Sequence, residues 1–169
     1  MALWRLYYHF VWTTKERQPL IVPEIEALLY GYIIGKAHSL GVIIHAIGGI
    51  EDHIHIIASV PPKMSLADFV RFVKGASAYH INRLHDEVEP NFAWQRGYGV
   101  FSLGSKQLPD AVAYVLNQKS HHRENSVLAP LEECAKADDG PAVWNYGKAI
   151  SRFKVDNFPD HVESLPPTS

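Results

Sequence analysis

Three observations predict an α+β fold built on a single antiparallel sheet. The opening of the chain alternates apolar and polar residues with a period of two, which is typical of a strand. Three later segments repeat apolar residues at helical spacing. Two short apolar runs flank a Gly-Gly pair, which indicates a hairpin. The resulting order predicts a ferredoxin-like split βαβ sheet, with helices on one face and an added C-terminal helix.

The strands are predicted from the alternation of apolar and polar residues and from the glycine and proline residues that end each run. In residues 4–14, Tyr8, Phe10 and Trp12 lie on one face of the first strand. Gly48-Gly49 is expected to form the hairpin turn. The three later strands are predicted at residues 42–47, 53–60 and 98–103.

The helices are predicted from their start and stop signals. The first begins at Pro23 and ends before Gly41. Ser65 caps the second, with Asp68 three residues later, and its apolar stripe continues to Val88. The remaining predictions are a single helix from about Pro109 to Arg123 and a short helix near Leu131.

Length and composition limit the classes of protein. The chain has 169 residues, which fits one domain with a real core. We expect that domain to span residues 1–125 and an irregular extension to span residues 126–169. The single cysteine excludes an intramolecular disulfide framework and a zinc ribbon. Apolar runs stay short of a membrane span, and a signal-peptide pattern is missing, so we expect a cytoplasmic protein without membrane contact.

The charge is unevenly distributed along the chain. The formal net charge is -2, and residues 124–169 hold eight acidic and four basic residues. Residues 1–123 therefore carry a net charge of +2 and nine of the ten histidines. This bias is weak for a general DNA-binding protein, so a polyanion would need a local patch or a metal ion.

Two histidines are candidate metal ligands. His53 and His55 lie on one face of a predicted strand, while Ile54 and Ile56 lie on the other. Two neutral imidazoles on one strand face can bind one divalent ion. An isolated His-x-His pair is more often a polar sheet face, so the pattern needs a partner.

The last predicted helix supplies that partner. Tyr114, Gln118 and His121 form one stripe at helical spacing. This stripe is expected to lie almost opposite the apolar positions, and therefore away from the core. Those apolar positions are Val112, Val115 and Leu116.

Together these motifs resemble the small single-tyrosine HUH transposases of insertion sequences, which include the REP-associated tyrosine transposases. His53-Ile54-His55 matches the His-hydrophobic-His motif and follows Asp52. Residues 114–118 match the family's Tyr-x-x-x-Gln pattern. Residues 8–12, residues 94–99 and the pair His121-His122 also look like this family. The resemblance covers about residues 5–125.

The resemblance implies a reaction and a site. In this family a tyrosine hydroxyl attacks single-stranded DNA, giving a 5′-phosphotyrosine and a free 3′-OH. The implied nucleophile is Tyr114, and the implied ligands of Mg²⁺ or Mn²⁺ are His53, His55 and Gln118. Asp52 and His121 are candidate accessory residues. The implied protein is an active single-strand DNA transposase.

The implied partners are single-stranded hairpin DNA and a second copy of the chain. The candidate DNA contacts are Arg71, Lys74 and Lys119. A homodimer is expected because closed pairs are common and because the first strand carries Tyr7 and Val11 on its second face.

Other functions remain open at this point. A histidine-triad hydrolase would need histidine where the chain has Ile57. A two-histidine phosphoesterase would need a His-x-Ser/Thr pair twice, and the third residue of the candidate pair is His55. A non-catalytic RNA-binding domain of the same fold could use Tyr7 and His9 as stacking residues. A domesticated or inactive transposase would bind hairpin DNA without cutting it.

Overall fold

The computed structural model describes residues 2–85 and 91–134. Within these ranges the chain forms four strands and four α-helices in the predicted order. They are β1 (Tyr7–Thr13), α1 (Pro23–Ser39), β2 (Ile43–Ile50), β3 (His53–Ser59), α2 (Leu66–Leu84), β4 (Gly99–Leu103), α3 (Leu108–Leu116) and α4 (Gln118–Arg123). A 3-10 turn at Ala129–Leu131 confirms the short helix predicted near Leu131. The predicted helical residue Val88 lies outside the described residues.

The sheet confirms the predicted fold class. Its strand order is β2-β3-β1-β4, and all three neighbouring pairs are antiparallel. The central strand β1 pairs on both sides, so that Tyr7 lies opposite Ser59 and Leu103. This order is that of a ferredoxin-like split βαβ sheet. It places β3, the histidine strand, in the interior of the sheet.

The main core lies between one sheet face and the helices α1 and α2. Phe10 and Trp12 of β1 and Ile54 and Ile56 of β3 are fully buried there. Burying each such side chain contributes about 1.5–3 kcal/mol relative to leaving it exposed. The Ser65 hydroxyl accepts a 3.3 Å hydrogen bond from the Asp68 backbone N–H, which confirms the predicted cap of α2.

The added helix α3 covers the opposite face of the sheet. A second apolar cluster forms there from Ala46, Ile57, Tyr114 and Val115. As a result, all seven residues of β3 are buried. The strand therefore has a core side and a second, equally enclosed side.

The predicted hairpin turn is wrong in position. Gly48 and Gly49 lie inside β2, and the turn falls at residues 51–52. The physical reason is close packing, because a Cβ on Gly48 would lie 2.2 Å from the backbone oxygen of Val115. Here the glycine marks the approach of α3 to the sheet, not a change of chain direction.

The predicted single C-terminal helix is also wrong. It divides at Asn117, whose φ of -102° and ψ of 16° interrupt the helical conformation. The tyrosine stripe does not point away from packed surfaces as predicted: Tyr114 and Gln118 are 7% and 1% exposed. Of the predicted apolar positions, Val115 is buried with Tyr114, whereas Leu116 is 63% exposed. The helix buries its tyrosine stripe because a second apolar sheet face is available to receive it.

The structure removes one reason for expecting a dimer. Val11 is 1% exposed, so the second face of β1 offers it no free apolar surface. The strand is internal, and β2 and β4 are the sheet edges. Among the helices in residues 2–85 and 91–134, none combines the length and apolar character needed to traverse a bilayer.

Candidate active site

His53 and His55 lie together on the second face of β3. Their rings are 5.0 Å apart at an interplanar angle of 77°, and both side chains are almost completely buried. This placement confirms that the two histidines share one face of the strand, as the two-residue alternation of the sequence predicts. Their Nε2 atoms lie 3.3 Å and 3.1 Å from the same carboxylate oxygen, Oε2 of Glu132. The strand thus directs two imidazoles at one point.

Hydrogen-bond partners at the Nδ1 atoms fix both imidazoles in place. The Nδ1 atom of His53 lies 2.5 Å from Oδ1 of Asp52, and Nδ1 of His55 lies 2.8 Å from Nε2 of His9. Asp52 is held in turn by Arg17 at 3.2 Å. Each ring therefore keeps its Nε2 atom facing inwards, the arrangement that a metal-binding histidine requires.

The pKa values of the imidazoles diverge. Burial alone would lower the pKa of His53, but hydrogen bonds with Asp52 and Glu132 outweigh it and raise that pKa. Burial lowers the pKa of His55. Burial and the neighbouring His55 lower the pKa of His9 to about 4. Burial between the sheet and its covering elements therefore holds His9 of β1 and His55 of β3 in the neutral form, and a neutral imidazole is the metal-binding form.

Tyr114 reaches the same point from α3. Its hydroxyl donates a 2.6 Å hydrogen bond to Oε1 of Glu132 and accepts one of 3.0 Å from the Leu128 backbone N–H. Its ring stacks on His121, with 4.7 Å between ring centroids. Burial, followed by the hydrogen bond to Glu132, raises the pKa of Tyr114. The hydroxyl is therefore held protonated and fixed in direction.

Gln118, the first residue of α4, also directs its side-chain amide at Glu132. Its Nε2 atom lies 3.4 Å from Oε1 of Glu132. Its side-chain oxygen is buried and has no hydrogen-bond partner among residues 2–85 and 91–134, and the residue is only 1% exposed. An unpaired buried acceptor costs about 1–3 kcal/mol. An amide oxygen is also a ligand that Mg²⁺ and Mn²⁺ accept, so a divalent cation would satisfy it.

Two residues of this site, Glu132 and His122, are not indicated by the sequence motifs. Glu132 belongs to the predicted irregular extension, and its carboxylate is the point on which the imidazoles, the phenol and the amide converge. The sequence indicates His122 only as part of the His121-His122 pair, yet its Nε2 lies 3.1 Å from Nε2 of His53 and 3.7 Å from Oε2 of Glu132. The one available signal was an acidic pair after the short helix near Leu131.

The donor set fits a divalent metal ion. Ligand atoms of His53, His122 and Glu132 all lie within 4.8 Å of one another. Burial alone would raise the pKa of Glu132, but hydrogen bonds from His53, His55 and Tyr114 hold it well below its usual range. The carboxylate is therefore ionised. Imidazole nitrogen and carboxylate oxygen together suit Mn²⁺ or Mg²⁺.

The predicted DNA-contact residues are not gathered at this site. Arg71 pairs with Asp68 at 2.7 Å, and Lys74 donates to the carbonyl of Arg96 at 3.0 Å. Both belong to α2, which packs on the sheet face away from His53 and His55. Lys119 pairs with Glu26 at 2.6 Å. Their role as DNA contacts stays a prediction.

Comparison with known proteins agrees with the fold and the motifs. The family described as "Transposase IS200 like" matches residues 2–118. The ISDra2 transposase TnpA of Deinococcus radiodurans is 25% identical over 126 residues, which covers 72% of this chain and 89% of that protein. The transposase for insertion sequence element IS200 of Salmonella typhimurium is 24% identical over 133 residues, covering 75% and 88%.

Two solved structures share the fold. A Deinococcus radiodurans R1 crystal structure, described as a transposase, has a TM-score of 0.58 at 25% identity and covers 69% of this chain and 93% of that chain. A REP-associated tyrosine transposase bound to a REP hairpin has a TM-score of 0.54 at 16% identity, covering 75% and 76%. With the family match extending over more than half of the sequence, the chain belongs to the IS200-like transposase family.

Proposed function

We propose that this transposase cleaves and rejoins single-stranded, hairpin-bearing DNA through Tyr114. The hydroxyl oxygen of Tyr114 attacks a phosphodiester phosphorus, the bond to the 3′ oxygen breaks, and a 5′-phosphotyrosine and a free 3′-OH result. The tyrosine proton leaves as the new P–O bond forms, and the 3′ oxygen takes up a proton. Because the covalent intermediate retains the phosphodiester bond energy, rejoining needs no ATP.

One observation carries the proposal. The Tyr114 hydroxyl, the Nε2 atoms of His53 and His55 and the Gln118 amide converge on the two oxygens of one partly buried carboxylate, that of Glu132. A phosphate has the same requirement for several donors around two oxygens. The nucleophile and the proposed ligands therefore lie within reach of one reacting group, which is the geometric condition for this chemistry.

We assign the proposed ion, Mg²⁺ or Mn²⁺, to His53, His55 and Gln118. When bound, it polarises the scissile phosphate and stabilises the leaving 3′ oxygen. The chain itself contributes orientation. Asp52 and His9 hold the imidazoles, and the stacked ring of His121 holds the ring of Tyr114.

Family membership supports the proposed substrate class and assembly. Hairpin DNA is supported by the structural relative that is bound to a REP hairpin. We also propose a homodimer, which would form through an edge strand, β2 or β4, since β1 is internal. Residues 1–125 would form the transposase domain, and the extension from residue 126 would add its first part to the site.

The non-catalytic RNA-binding alternative loses its main support. That function needs exposed rings on central strands for base stacking. His9 is 1% exposed and bonds to His55. A domesticated hairpin-binding protein differs from an active enzyme only in the reaction, so the reaction is what must be measured.

The test is a search for a covalent protein–DNA adduct. The full chain is incubated with a pool of end-labelled single-stranded hairpin oligonucleotides and Mn²⁺, and products are resolved on a denaturing gel. We expect a labelled band at the mass of protein plus DNA, which requires Mn²⁺ and disappears with a chelator. Cleavage without any adduct would instead identify a metal-dependent hydrolase.

A further inference from the structure

The segment after α4 folds back onto the site. Its Leu128 backbone N–H donates to the Tyr114 hydroxyl, and Leu131 packs against the apolar cluster that contains Tyr114 and Val115. Ser126 bonds to His121 at 3.0 Å. Three contacts before Glu132 thus attach the segment to the same helices that carry the proposed nucleophile.

The sheet is shaped to receive the residues that follow Glu132. A Cβ on Gly99 would lie 2.1 Å from the backbone oxygen of Glu133, so the segment passes where β4 has no side chain. Cys134 packs against the main apolar cluster. The chain is therefore fixed on both sides of Glu132, and the inward position of its carboxylate follows from packing.

The two oxygens of the Glu132 carboxylate have different neighbours. Oε2 faces the imidazoles, at 3.1 Å from Nε2 of His55 and 3.3 Å from Nε2 of His53. Oε1 faces the phenol, at 2.6 Å from the Tyr114 hydroxyl. Neighbouring ligands on an octahedral ion with bonds of 2.0–2.1 Å lie about 3 Å apart. The two distances at Oε2 are compatible with that spacing.

We propose that Glu132 is a further ligand of the divalent ion and also the residue that orients Tyr114. One oxygen binds the ion beside His53 and His55. The other accepts the hydrogen bond of the Tyr114 hydroxyl, and since the Leu128 N–H occupies one lone pair of that oxygen, the second lone pair is left free to attack. A single carboxylate thus sets the position of the nucleophile relative to the ion. This inference rests on the proposed function and adds to it a ligand from the C-terminal extension.

The test compares Glu132→Gln with Glu133→Gln, the adjacent and exposed carboxylate, as matched control. Mn²⁺ binding to the full chain is measured by calorimetry without DNA. We expect Glu132→Gln to raise the Kd for Mn²⁺ by at least about tenfold, and Glu133→Gln to leave it within about twofold. Glu132→Asp retains the charge, so it should recover part of the affinity. Thermal unfolding of each variant establishes that it is folded.

A second measurement tests the orientation of Tyr114. At saturating Mn²⁺, adduct formation by Glu132→Gln should remain at least about tenfold slower than that of the wild type. Unchanged Mn²⁺ affinity would overturn the proposal. Faster adduct formation would also overturn it, because Glu132 would then block the phosphate position. If the wild type forms no adduct at all, the proposed function fails, while the Mn²⁺ affinities still decide whether Glu132 is a ligand.

Discussion

The hydroxyl of Tyr114 and the carboxylate of Glu132 form a 2.6 Å hydrogen bond between residues 18 positions apart. The bond joins the family's tyrosine motif to a segment for which the sequence shows no family pattern. It also makes the phenol part of a buried polar network. Removing a single oxygen atom from this network should therefore affect chemistry and stability to different degrees.

Tyr114→Phe should abolish the covalent adduct and leave hairpin binding within a few fold. The ring keeps its stacking on His121, but the attacking oxygen is lost. Stability should fall by about 1–3 kcal/mol, because Glu132 and the Leu128 N–H lose a partner. A denaturing gel, fluorescence anisotropy and thermal unfolding measure the three effects. Tyr79→Phe is the control, since Tyr79 is 64% exposed on α2. A persisting adduct would make Tyr98 the next candidate nucleophile.

His53→Ala should also stop adduct formation, but for a different reason. The variant loses an imidazole that faces the proposed ion, so raised Mn²⁺ should restore part of the activity. Tyr114→Phe should show no such recovery. A Mn²⁺ titration of the adduct yield distinguishes the two variants, with His38→Ala, an exposed histidine of α1, as control. Activity of His53→Ala at ordinary Mn²⁺ would exclude His53 as a ligand.

Gly48→Ala should displace α3 from the sheet. The added Cβ would lie 2.2 Å from the Val115 backbone oxygen, so the helix must shift. We expect a loss of about 1–3 kcal/mol in unfolding free energy and a drop in adduct formation. Gly75→Ala in α2 is the control, because its Cβ would meet no atom of the described part of the chain within 4 Å and alanine favours a helix. Equal stability changes in the two variants would contradict this account.

The protein should be a homodimer in solution. The chain has a mass of 19.0 kDa, so light scattering at micromolar concentration should give about twice that value. Disrupting the correct edge strand should yield the monomer, and substitutions to lysine at Ile43 of β2 and at Ser102 of β4 compare the two edges. Both positions are exposed. A mass near 19 kDa for the wild type would refute the dimer.

The fold was predictable because its signals are local. Alternation in β1 and the Ser65 cap of α2 depend on neighbours in the sequence, and both are confirmed by the structure. The shared face of His53 and His55 follows from the same two-residue period. Long-range packing was not predictable. The Gly48 approach and the inward turn of Tyr114 depend on a helix meeting a sheet face about 65 residues earlier in the chain.

The site positions of Glu132 and His122 could not be predicted for the same reason, since both depend on long-range packing. A single carboxylate belongs to no periodic pattern of residues. No signal near Glu132 in the sequence indicates that this segment folds back to the histidines of β3. His121 and His122 are adjacent, so the sequence cannot decide which one faces the strand. The structure places His121 on the Tyr114 ring and His122 beside His53.

The complete burial of β3 has a consequence for how this protein can vary. Ile54 and Ile56 pack the main core, while His53 and His55 between them build the site from the same seven-residue strand. A core substitution that moves the backbone by a few tenths of an ångström therefore also moves both imidazoles. Variants selected for thermostability should tolerate exchanges in α1 far better than in β3. Along β3, a substitution that disturbs the core packing is therefore expected to disturb the chemistry of the site as well.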